Sequence, residues 1–408
     1  MRRRPAPTTH QWVFKARFRR GAFGWRSAPA VQRVREAVSE IRSVARKDPI
    51  LAAEGAIAFL ERVSPALESV DSSSGSIGTA VNNAIDKLVP IIAAAPADPR
   101  IRSKWLDRLW ESHEADQIPY IEQLGEYWGD LCGSKEVASE WADQLIGTTR
   151  LALSPDRTVR GFFHGSTACL SALFAAGRYG DILDLLKDET FWPYKRWAVE
   201  AMAAMGDVEN ALELADASRG PWTNDHDVDQ ICESILLAQG RVDDAYRDYG
   251  LRAHRATTFL ATLDAVCRAY PDKPRHEVLA DLVASTPGEE GKWFAAAKDA
   301  GLYDEALALA TRSPCDPKTL TRAARDFAKK NPAFALGAGT LAMHWLIEGY
   351  GYEITSADVW AAHSRTLEAA GALGRVDEVR AQIRAMVAAE GPGTDGFVTK
   401  TIGRELGL

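Results

Sequence analysis

The sequence predicts an all-α protein, an α-solenoid of stacked antiparallel helical hairpins, from three observations. Strand patterns are nearly absent, since period-two alternation with β-branched residues does not recur. Apolar residues instead return every three or four positions over most of the chain, as they do on one face of a helix. A short motif that ends one helix and begins another occurs five times between residues 177 and 379.

Length and composition are those of a folded, elongated or multidomain protein. At 408 residues the chain is too long for one compact core, which indicates several domains or a repeat array. Hydrophobic residues make up 46% and charged residues 26%, so a large core can be buried. No apolar run reaches the roughly 18 residues of a membrane span. We therefore expect no membrane-spanning segment.

The repeated motif is organised around a glycine. Its first copy is AAGRYGDILDLL, and in every copy Tyr or Val follows two residues after the glycine. Asp, Asn or Glu stands at four residues, and a small or branched apolar residue at five. The five glycines are Gly177, Gly206, Gly240, Gly301 and Gly374. Their spacing predicts weaker copies near AYPDKPRHEVLADL and KKNPAFALGAGTLA.

Each part of this motif has a role in a helical hairpin. The glycine ends the first helix in a left-handed conformation, and the acidic residue lies at the positive end of the second helix. The apolar residue at five positions lets the two helices approach closely; these residues are Ile182, Ala211, Ala245, Ala306 and Val379. Over roughly residues 160–390 the motif resembles tetratricopeptide-type repeats, which implies stacked helix pairs.

The first 150 residues carry a second resemblance. The segments AVQRVREAVSEIRSVARKDPILAAEGAIAFLERV and WLDRLWESHEADQIPYIE are similar to a bacterial helical-repeat family of unknown function, which implies helices and no known reaction. Because Pro65 and Pro90 suit bent HEAT-like hairpins as well, the repeat class stays open between tetratricopeptide and HEAT-like. The predicted organisation is a basic aromatic arm at 1–30, a helical region at 31–150, helical repeats at 151–390 and a C-terminal tail at 391–408.

Charge is distributed unevenly. Residues 1–47 contain 13 Lys and Arg against only Glu36 and Glu40, a net charge of +11. Because the whole chain carries −7, residues 48–408 carry −18. A basic arm before an acidic body predicts an interacting segment or self-association.

The arm is the first candidate interaction site. Aromatic and basic side chains alternate in WVFKARFRRGAFGW. The candidates are Trp12, Phe14, Lys15, Arg17, Phe18, Arg19, Arg20 and Trp25. Phosphate neutralisation with base stacking would use this mixture, so residues 1–35 are a candidate nucleic-acid contact. An acidic protein or a lipid surface is another alternative. In a third the arm packs on its own acidic body, and in a fourth it is a loose solvated tail. The third is favoured over nucleic acid because five large aromatic side chains are costly to leave in water.

A second candidate surface lies at FWPYKRW, residues 191–197. Two basic residues interrupt the apolar pattern there, and Trp and Tyr are favoured anchors of interfaces. The candidates are Trp192, Tyr194, Lys195 and Arg196. The other tryptophans, four of them within residues 105–141, are interpreted mainly as packing residues between hairpins.

The segments that resemble catalytic or cofactor-binding motifs lack residues that those motifs require. The serine-rich stretch DSSSGSIGTAVNNAID lacks the lysine and the preceding strand of a phosphate loop, which indicates a helix–helix connection. NDHDVD has calcium-loop spacing but lacks the glycine and glutamate that should follow, so we interpret it as a polar loop with a capping Asp. No HExxH or GxSxG motif occurs. We therefore expect no metal or cofactor, although an enzyme with an unrecognised site in the N-terminal half remains an alternative.

Cysteine usage indicates the compartment. The five cysteines are dispersed, with no CxxC pair, as in reduced thiols of a cytoplasmic protein. The function predicted is a non-enzymatic helical-repeat scaffold that binds a protein or peptide partner. The alternative is a nucleic-acid-associated protein that uses the basic arm.

Overall fold

The computed structural model of the chain describes residues 10–389 and 396–408. All regular structure in these two ranges is helical and no strand occurs in them, which confirms the all-α prediction. The chain divides into two compact units, unit 1 at Met1–Asn224 and unit 2 at Asp225–Leu408. The divisions at 30, 150 and 390, which rest on sequence character alone, stay predictions. The first nine residues of the predicted arm and residues 390–395 lie outside the described residues.

Unit 1 is a stack of helices that pack against their neighbours in sequence. Its helices are α1 Val13–Arg17, α2 Ser27–Ala45, α3 Pro49–Leu67, α4 Ser76–Ala93, α5 Pro99–Glu114, α6 Trp128–Cys132, α7 Lys135–Ala152, α8 Ser166–Ala176, α9 Tyr179–Leu186, α10 Trp192–Ala204 and α11 Val208–Ala217. A 3₁₀ segment, Glu122–Tyr127, precedes α6. One hydrophobic core extends from Trp12 to Ala201.

Unit 2 is built in the same way. Its helices are α12 Asp225–Ala238, α13 Val242–Ala245, α14 Leu251–Ala253, α15 Phe259–Ala269, α16 Arg275–Ala284, α17 Phe294–Asp299, α18 Tyr303–Arg312, α19 Pro317–Phe327, α20 Pro332–Ile347, α21 Ser356–Ala372, α22 Val376–Ala388 and α23 Phe397–Leu406. A π-helical turn, Tyr246–Gly250, joins α13 to α14, and a 3₁₀ segment, Glu290–Trp293, precedes α17. Packing between successive helices makes each unit solenoid-like.

The repeated glycine motif forms the predicted helix–turn–helix in all five copies. Every motif glycine is left-handed, with φ from 68° at Gly374 to 92° at Gly206. The residue after each glycine donates its N–H to the carbonyl five residues earlier, at 2.9–3.0 Å, which closes the last turn of the first helix. The next helix then starts two residues after the glycine, at Tyr179, Val208, Val242, Tyr303 and Val376. In the weaker copies, helices start at Arg275 and Pro332.

The apolar position of the motif is fully buried. The side chains five residues after each glycine are all 0–1% exposed: Ile182, Ala211, Ala245, Ala306 and Val379. Three of the five are alanines. Their burial agrees with the predicted close approach of paired helices, which stays a prediction at these positions.

Substituting leucine for the motif alanines should overpack the hairpins. We expect A211L, A245L and A306L each to lower the free energy of unfolding by about 1–3 kcal/mol, because each leucine adds three carbon atoms to a side chain that is 0% exposed. Thermal and denaturant unfolding measure the effect. A381L is the matched control, since Ala381 is exposed on α22 and should change stability little. If all three variants unfold like A381L, the motif alanines do not lie where helices meet.

One buried arginine closes the end of α4. Arg102, on α5, is 8% exposed and donates to the carbonyls of Ile92, Ala93 and Ala95 at 2.8, 3.2 and 2.9 Å. A fourth donation, at 3.4 Å, reaches the carbonyl of Leu131 at α6. Burial lowers the pKa of the Arg102 guanidinium. One guanidinium thus donates to several carbonyls at and just beyond the negative end of α4, two of which also accept a backbone N–H.

The C-terminal segment, interpreted from sequence as a tail, contains a packed helix. In α23 the side chains of Val398, Ile402 and Leu406 are buried, at a spacing of four residues. This stripe packs against α21 and α22. None of the helices within the described ranges combines the length and apolar character needed to cross a lipid bilayer.

Candidate binding site

The described part of the arm is folded onto unit 1. Trp12, Phe14 and Phe18 are 6%, 2% and 1% exposed. Phe14 and Phe18 both set an edge against Phe59 of α3, with ring centroids 5.8 and 5.1 Å apart. These three candidates are core residues in this structure, because their rings face the interior and not the surface.

A glycine in α3 makes room for the arm. A Cβ atom built on Gly55 would come 2.2 Å from Cζ2 of Trp12, so no other residue fits beneath that indole without moving it. The indole therefore lies directly on the α3 backbone. This contact has no signal in the sequence of the arm itself, because it depends on a residue about forty positions later.

Acidic residues of α2 and α3 hold the polar groups of the arm. Glu40 accepts the N–H groups of Val13 and Phe14 at 2.8 and 3.3 Å, and so caps α1. Arg17 pairs with Glu36 at 2.6 Å. Hydrogen bonds from α2 neighbours, Arg33 foremost, hold the pKa of Glu36 below its ordinary value. The interpretation that the arm packs on its own body is confirmed for these residues.

The remaining arm candidates are at the surface. Arg20 is paired with Glu68 at 3.3 Å. Lys15 and Arg19 are exposed, and within the described ranges no carboxylate lies within 4 Å of either. Trp25 is 71% exposed. Among the arm candidates in the described residues, Lys15, Arg19, Arg20 and Trp25 are accessible to a partner, and so is Arg17 although it is paired.

The second candidate surface is also largely engaged. Trp192 is buried, and Tyr194 is half-buried against Phe191, whose own side chain is exposed. Arg196 pairs with Glu126 and Glu200 and lies 4.6 Å from the centre of the Trp197 ring. Of the predicted contacts here, Tyr194 and Lys195 alone retain partial exposure without an acidic partner in the described structure.

Unit 1 has a concave site between α2 and α4, which we name the basic groove. Its volume is about 830 Å³. It is lined by Val34, Arg35, Val38, Ser39, Arg42, Ser43, Ala45, Arg46, Ser76, Thr79, Ala80, Asn83, Ala84, Lys87 and Ile91. Three arginines lie along α2 and one lysine faces them from α4.

The charges of the basic groove are unbalanced. Its four cations, Arg35, Arg42, Arg46 and Lys87, are exposed, and none lies within 4 Å of a carboxylate of the described residues. No Asp or Glu is among the lining residues. The other side of α2 differs, since Arg33 there pairs with Glu36 at 2.6 Å. A concave surface that concentrates one sign of charge attracts an oppositely charged ligand.

Between its cations the basic groove has an apolar floor. Val34 and Val38 of α2 and Ala84 of α4 are buried there, next to the half-buried Ala80 and Ile91. Hydroxyl and amide groups of Ser39, Thr79 and Asn83 complete the wall without any aromatic ring. A ligand with acidic and aliphatic groups on one side would meet complementary chemistry along the whole groove.

The serine-rich stretch forms the connection into α4, as predicted. Asp71 accepts the N–H of Ser73 at 3.0 Å, and hydrogen bonding to Ser73 keeps the pKa of Asp71 below its ordinary value. Gly75 is left-handed, with φ of 68°, and α4 begins at Ser76. The stretch thus sets where α4 starts and places Ser76 at one end of the basic groove.

A buried aromatic cluster surrounds His113 in unit 1. The rings of Trp110, Trp128 and His164 lie 5.7, 6.4 and 5.5 Å from it, centre to centre. Within the described structure neither nitrogen of His113 has a partner at hydrogen-bond geometry, although the backbone of Glu122 is near enough to favour its protonation. Burial, with His164 nearby, lowers the pKa of His113. The lowered pKa favours the neutral imidazole, and the aromatic rings packed around it support the packing interpretation of these tryptophans.

The calcium-like segment is helical, which corrects the predicted loop. Asp225, Asp227 and Asp229 lie in the first turns of α12, where acidic side chains favour the positive end of a helix. Asp229 is buried and accepts two hydrogen bonds from Arg252, at 3.0 and 2.9 Å. Among the described residues no group of three or more His, Cys, Asp and Glu is arranged to hold a metal ion.

The basic groove was not predicted from the sequence, although the sequence contains the stripe of arginines that lines one side of it. Arg35, Arg42 and Arg46 are spaced by seven and four residues, which places them on one face of a helix. Lys87 could not be added to this stripe, because only the packing of α4 against α2 brings it there.

Comparisons with known proteins do not place the chain in a family. No protein-family model matches it, and no curated protein matches it.

Proposed function

We propose that the chain is a non-enzymatic helical-repeat scaffold of the cytoplasm that binds an acidic, amphipathic segment of a protein partner in the basic groove. The observation that carries this proposal is the set of four unpaired cations lining one groove with no carboxylate among them. The cytoplasmic location is supported by five free cysteines, of which four are buried.

The dimensions of the groove suit a short helical segment. Arg35 lies on α2, and Arg46 follows the last residue of that helix eleven positions later, which corresponds to about 16 Å along the helix axis. Three turns of a partner helix span that length. Exposed ion pairs contribute about 0.2–1 kcal/mol each, so four supply about 1–4 kcal/mol and the apolar floor must supply the rest. Binding through an amphipathic face, as in other helix-in-groove complexes, meets that requirement.

A nucleic acid fits the groove less well. Single strands are bound by aromatic side chains on which bases stack, and the lining has none. The aromatic residues that favoured nucleic acid in the sequence, Trp12, Phe14 and Phe18, are buried beside α3. Two of the arm arginines are already paired with Glu36 and Glu68. In the described part of the arm, phosphate contact is thereby reduced to a few side chains.

Reversing two groove charges tests the proposal. The probe is a fluorescent amphipathic peptide of about 12 residues with glutamates along one side and leucines beside them. We expect R42E/R46E to weaken its binding at least tenfold, or about 1.4 kcal/mol, as measured by fluorescence anisotropy. Wild-type binding should weaken with rising salt because the cations are exposed.

Two controls make the result specific. R62E/K104E reverses two exposed charges of unit 1 that do not line the groove, and should bind the peptide like the wild type. A peptide with glutamines in place of glutamates should bind weakly. Equal weakening by both double variants would contradict the proposal. So would tighter binding of a single-stranded oligonucleotide than of the peptide.

A further inference from the structure

Unit 2 contains a separate recess beside its π-helical turn. Its volume is about 440 Å³, within the range of small-molecule pockets. The side chains that carry the following inference are Tyr249, Arg252, Arg255, Thr257, Phe259 and Trp293, which all line it. The recess shares no residue with the basic groove, so what it binds is independent of the function proposed above.

The π turn shapes one wall of this recess. Tyr246–Gly250 inserts a wider turn into a helix that otherwise continues from α13 to α14, and such turns occur frequently at functional sites. A Cβ atom on Gly250 would come 2.6 Å from the hydroxyl oxygen of Tyr270. The glycine therefore lets Tyr270 donate to the buried carboxylate of Glu233, and burial raises the pKa of Tyr270. The wall behind the recess is fixed by these contacts.

The acidic groups that line the recess already have partners. Asp248 receives two hydrogen bonds from Arg247, at 2.8 and 2.7 Å. Glu289 pairs with Lys292 at 2.5 Å. Neither carboxylate is left to repel an anion, and Arg247 is neutralised as well.

One cation remains in excess. Arg252 is held by Asp229, which is 2% exposed, through two hydrogen bonds. Arg255, three residues later, is exposed, and no carboxylate within the described ranges lies within 4 Å of its guanidinium. The recess thus presents one uncompensated positive charge, which suits a single negative charge on a ligand.

The opposite wall is aromatic. Phe259 meets Trp293 edge-to-face, with ring centroids 4.7 Å apart. Trp293 is 1% exposed and donates its indole N–H to Thr286 at 2.8 Å, so its ring is fixed. Phe259 is half-buried and presents the accessible part of this wall. A planar apolar group would replace water there at a gain of about 25 cal/mol per Å² buried.

We infer that this recess binds a small aromatic carboxylate. The carboxylate is recognised by the planar fork of Arg255, which accommodates two oxygens at once, with the hydroxyl of Thr257 beside it. The aromatic body lies against Phe259. Size, charge and the aromatic wall each select this class: a larger anion exceeds the recess, and a neutral aromatic molecule leaves Arg255 unpaired.

Binding of phenylacetate, with phenylacetamide and inorganic phosphate as comparisons, tests this inference on the full chain. Isothermal titration calorimetry should detect phenylacetate at millimolar or lower concentration, and R255Q should weaken it at least tenfold. R380Q is the matched control, because Arg380 is an exposed arginine of unit 2 outside the recess. R42E/R46E should leave phenylacetate binding unchanged, which separates this site from the basic groove.

Three outcomes would overturn the inference. The first is no detectable phenylacetate binding at about 10 mM, well above the expected range. The second is equal binding of phenylacetamide, because the charge would then have no role. The third is equal binding of inorganic phosphate, because the aromatic wall would then have none. Circular dichroism of R255Q, which removes an exposed side chain, verifies that the variant is folded.

Discussion

Removing a single arm phenylalanine should destabilise unit 1 strongly. We expect F14A to lower its free energy of unfolding by about 3–5 kcal/mol, because a fully buried aromatic ring leaves a cavity against Phe59. F18A should have a similar effect, since Phe18 is 1% exposed and contacts the same ring. Deletion of residues 1–26 should lower the melting temperature further, because the faces of α2 and α3 beneath the arm become exposed.

The control for this prediction is on the same short helix. Val13 is 54% exposed, so V13A should change stability by less than about 0.5 kcal/mol. Denaturant unfolding followed by near-ultraviolet circular dichroism distinguishes the variants. If F14A and the deletion both melt like V13A, the arm is not part of the core. A free arm that serves nucleic acid would behave in that way.

Replacing Arg102 should have the second large effect. R102M keeps most of the side-chain volume but removes the donor to the Ala93 carbonyl and one of the donors to the carbonyls of Ile92 and Ala95. A buried polar group without a partner costs about 1–3 kcal/mol and a lost hydrogen bond to a charged group about 1.5–3 kcal/mol, so we expect a total loss of at least about 3 kcal/mol. No carboxylate pairs with Arg102 in the described structure, so the loss measures capping of α4 and not a broken ion pair.

Two further variants identify the cause. R100M removes an exposed arginine from the same helix and should be nearly neutral. R102K should recover only part of the loss, because an ammonium group lacks the planar fork that reaches several carbonyls at once. Equal stability of R102M and R100M would show that water, and not Arg102, satisfies the end of α4.

The fold was predictable from local signals, and the failures have physical causes. A left-handed glycine followed by a buried apolar residue is a local pattern that predicts a helix end and a helix start. The conformation of Gly177 and the burial of Ala211 could therefore be predicted without knowledge of the tertiary structure. The NDHDVD segment was predicted as a loop because its spacing was weighed as a metal motif. Its aspartates instead lie at the positive end of α12. Acidic residues are favoured at a helix start just as they are in a metal-binding loop, so their presence could not distinguish the two structures.

The candidate site was less predictable, because it depends on pairs of helices. The stripe of Arg35, Arg42 and Arg46 could be found from its spacing, but Lys87 joins it only through tertiary packing. In the arm, the mixture of rings and arginines was visible. The burial of its rings depends on Phe59 and Gly55 of α3. The arm sequence alone does not show that the arm packs against that helix.

The packing of helices on their sequence neighbours has a consequence for synthesis of the protein. Contacts between residues close in sequence form with little loss of chain entropy, so such folds assemble quickly and from local pieces. The arm finds its main partners, Glu40, Gly55 and Phe59, within the next fifty residues. It can therefore close over α2 and α3 soon after they leave the ribosome, while the rest of the chain is still being translated. The rings of Trp12, Phe14 and Phe18 would then be hidden from chaperones and from other nascent chains before either unit is complete.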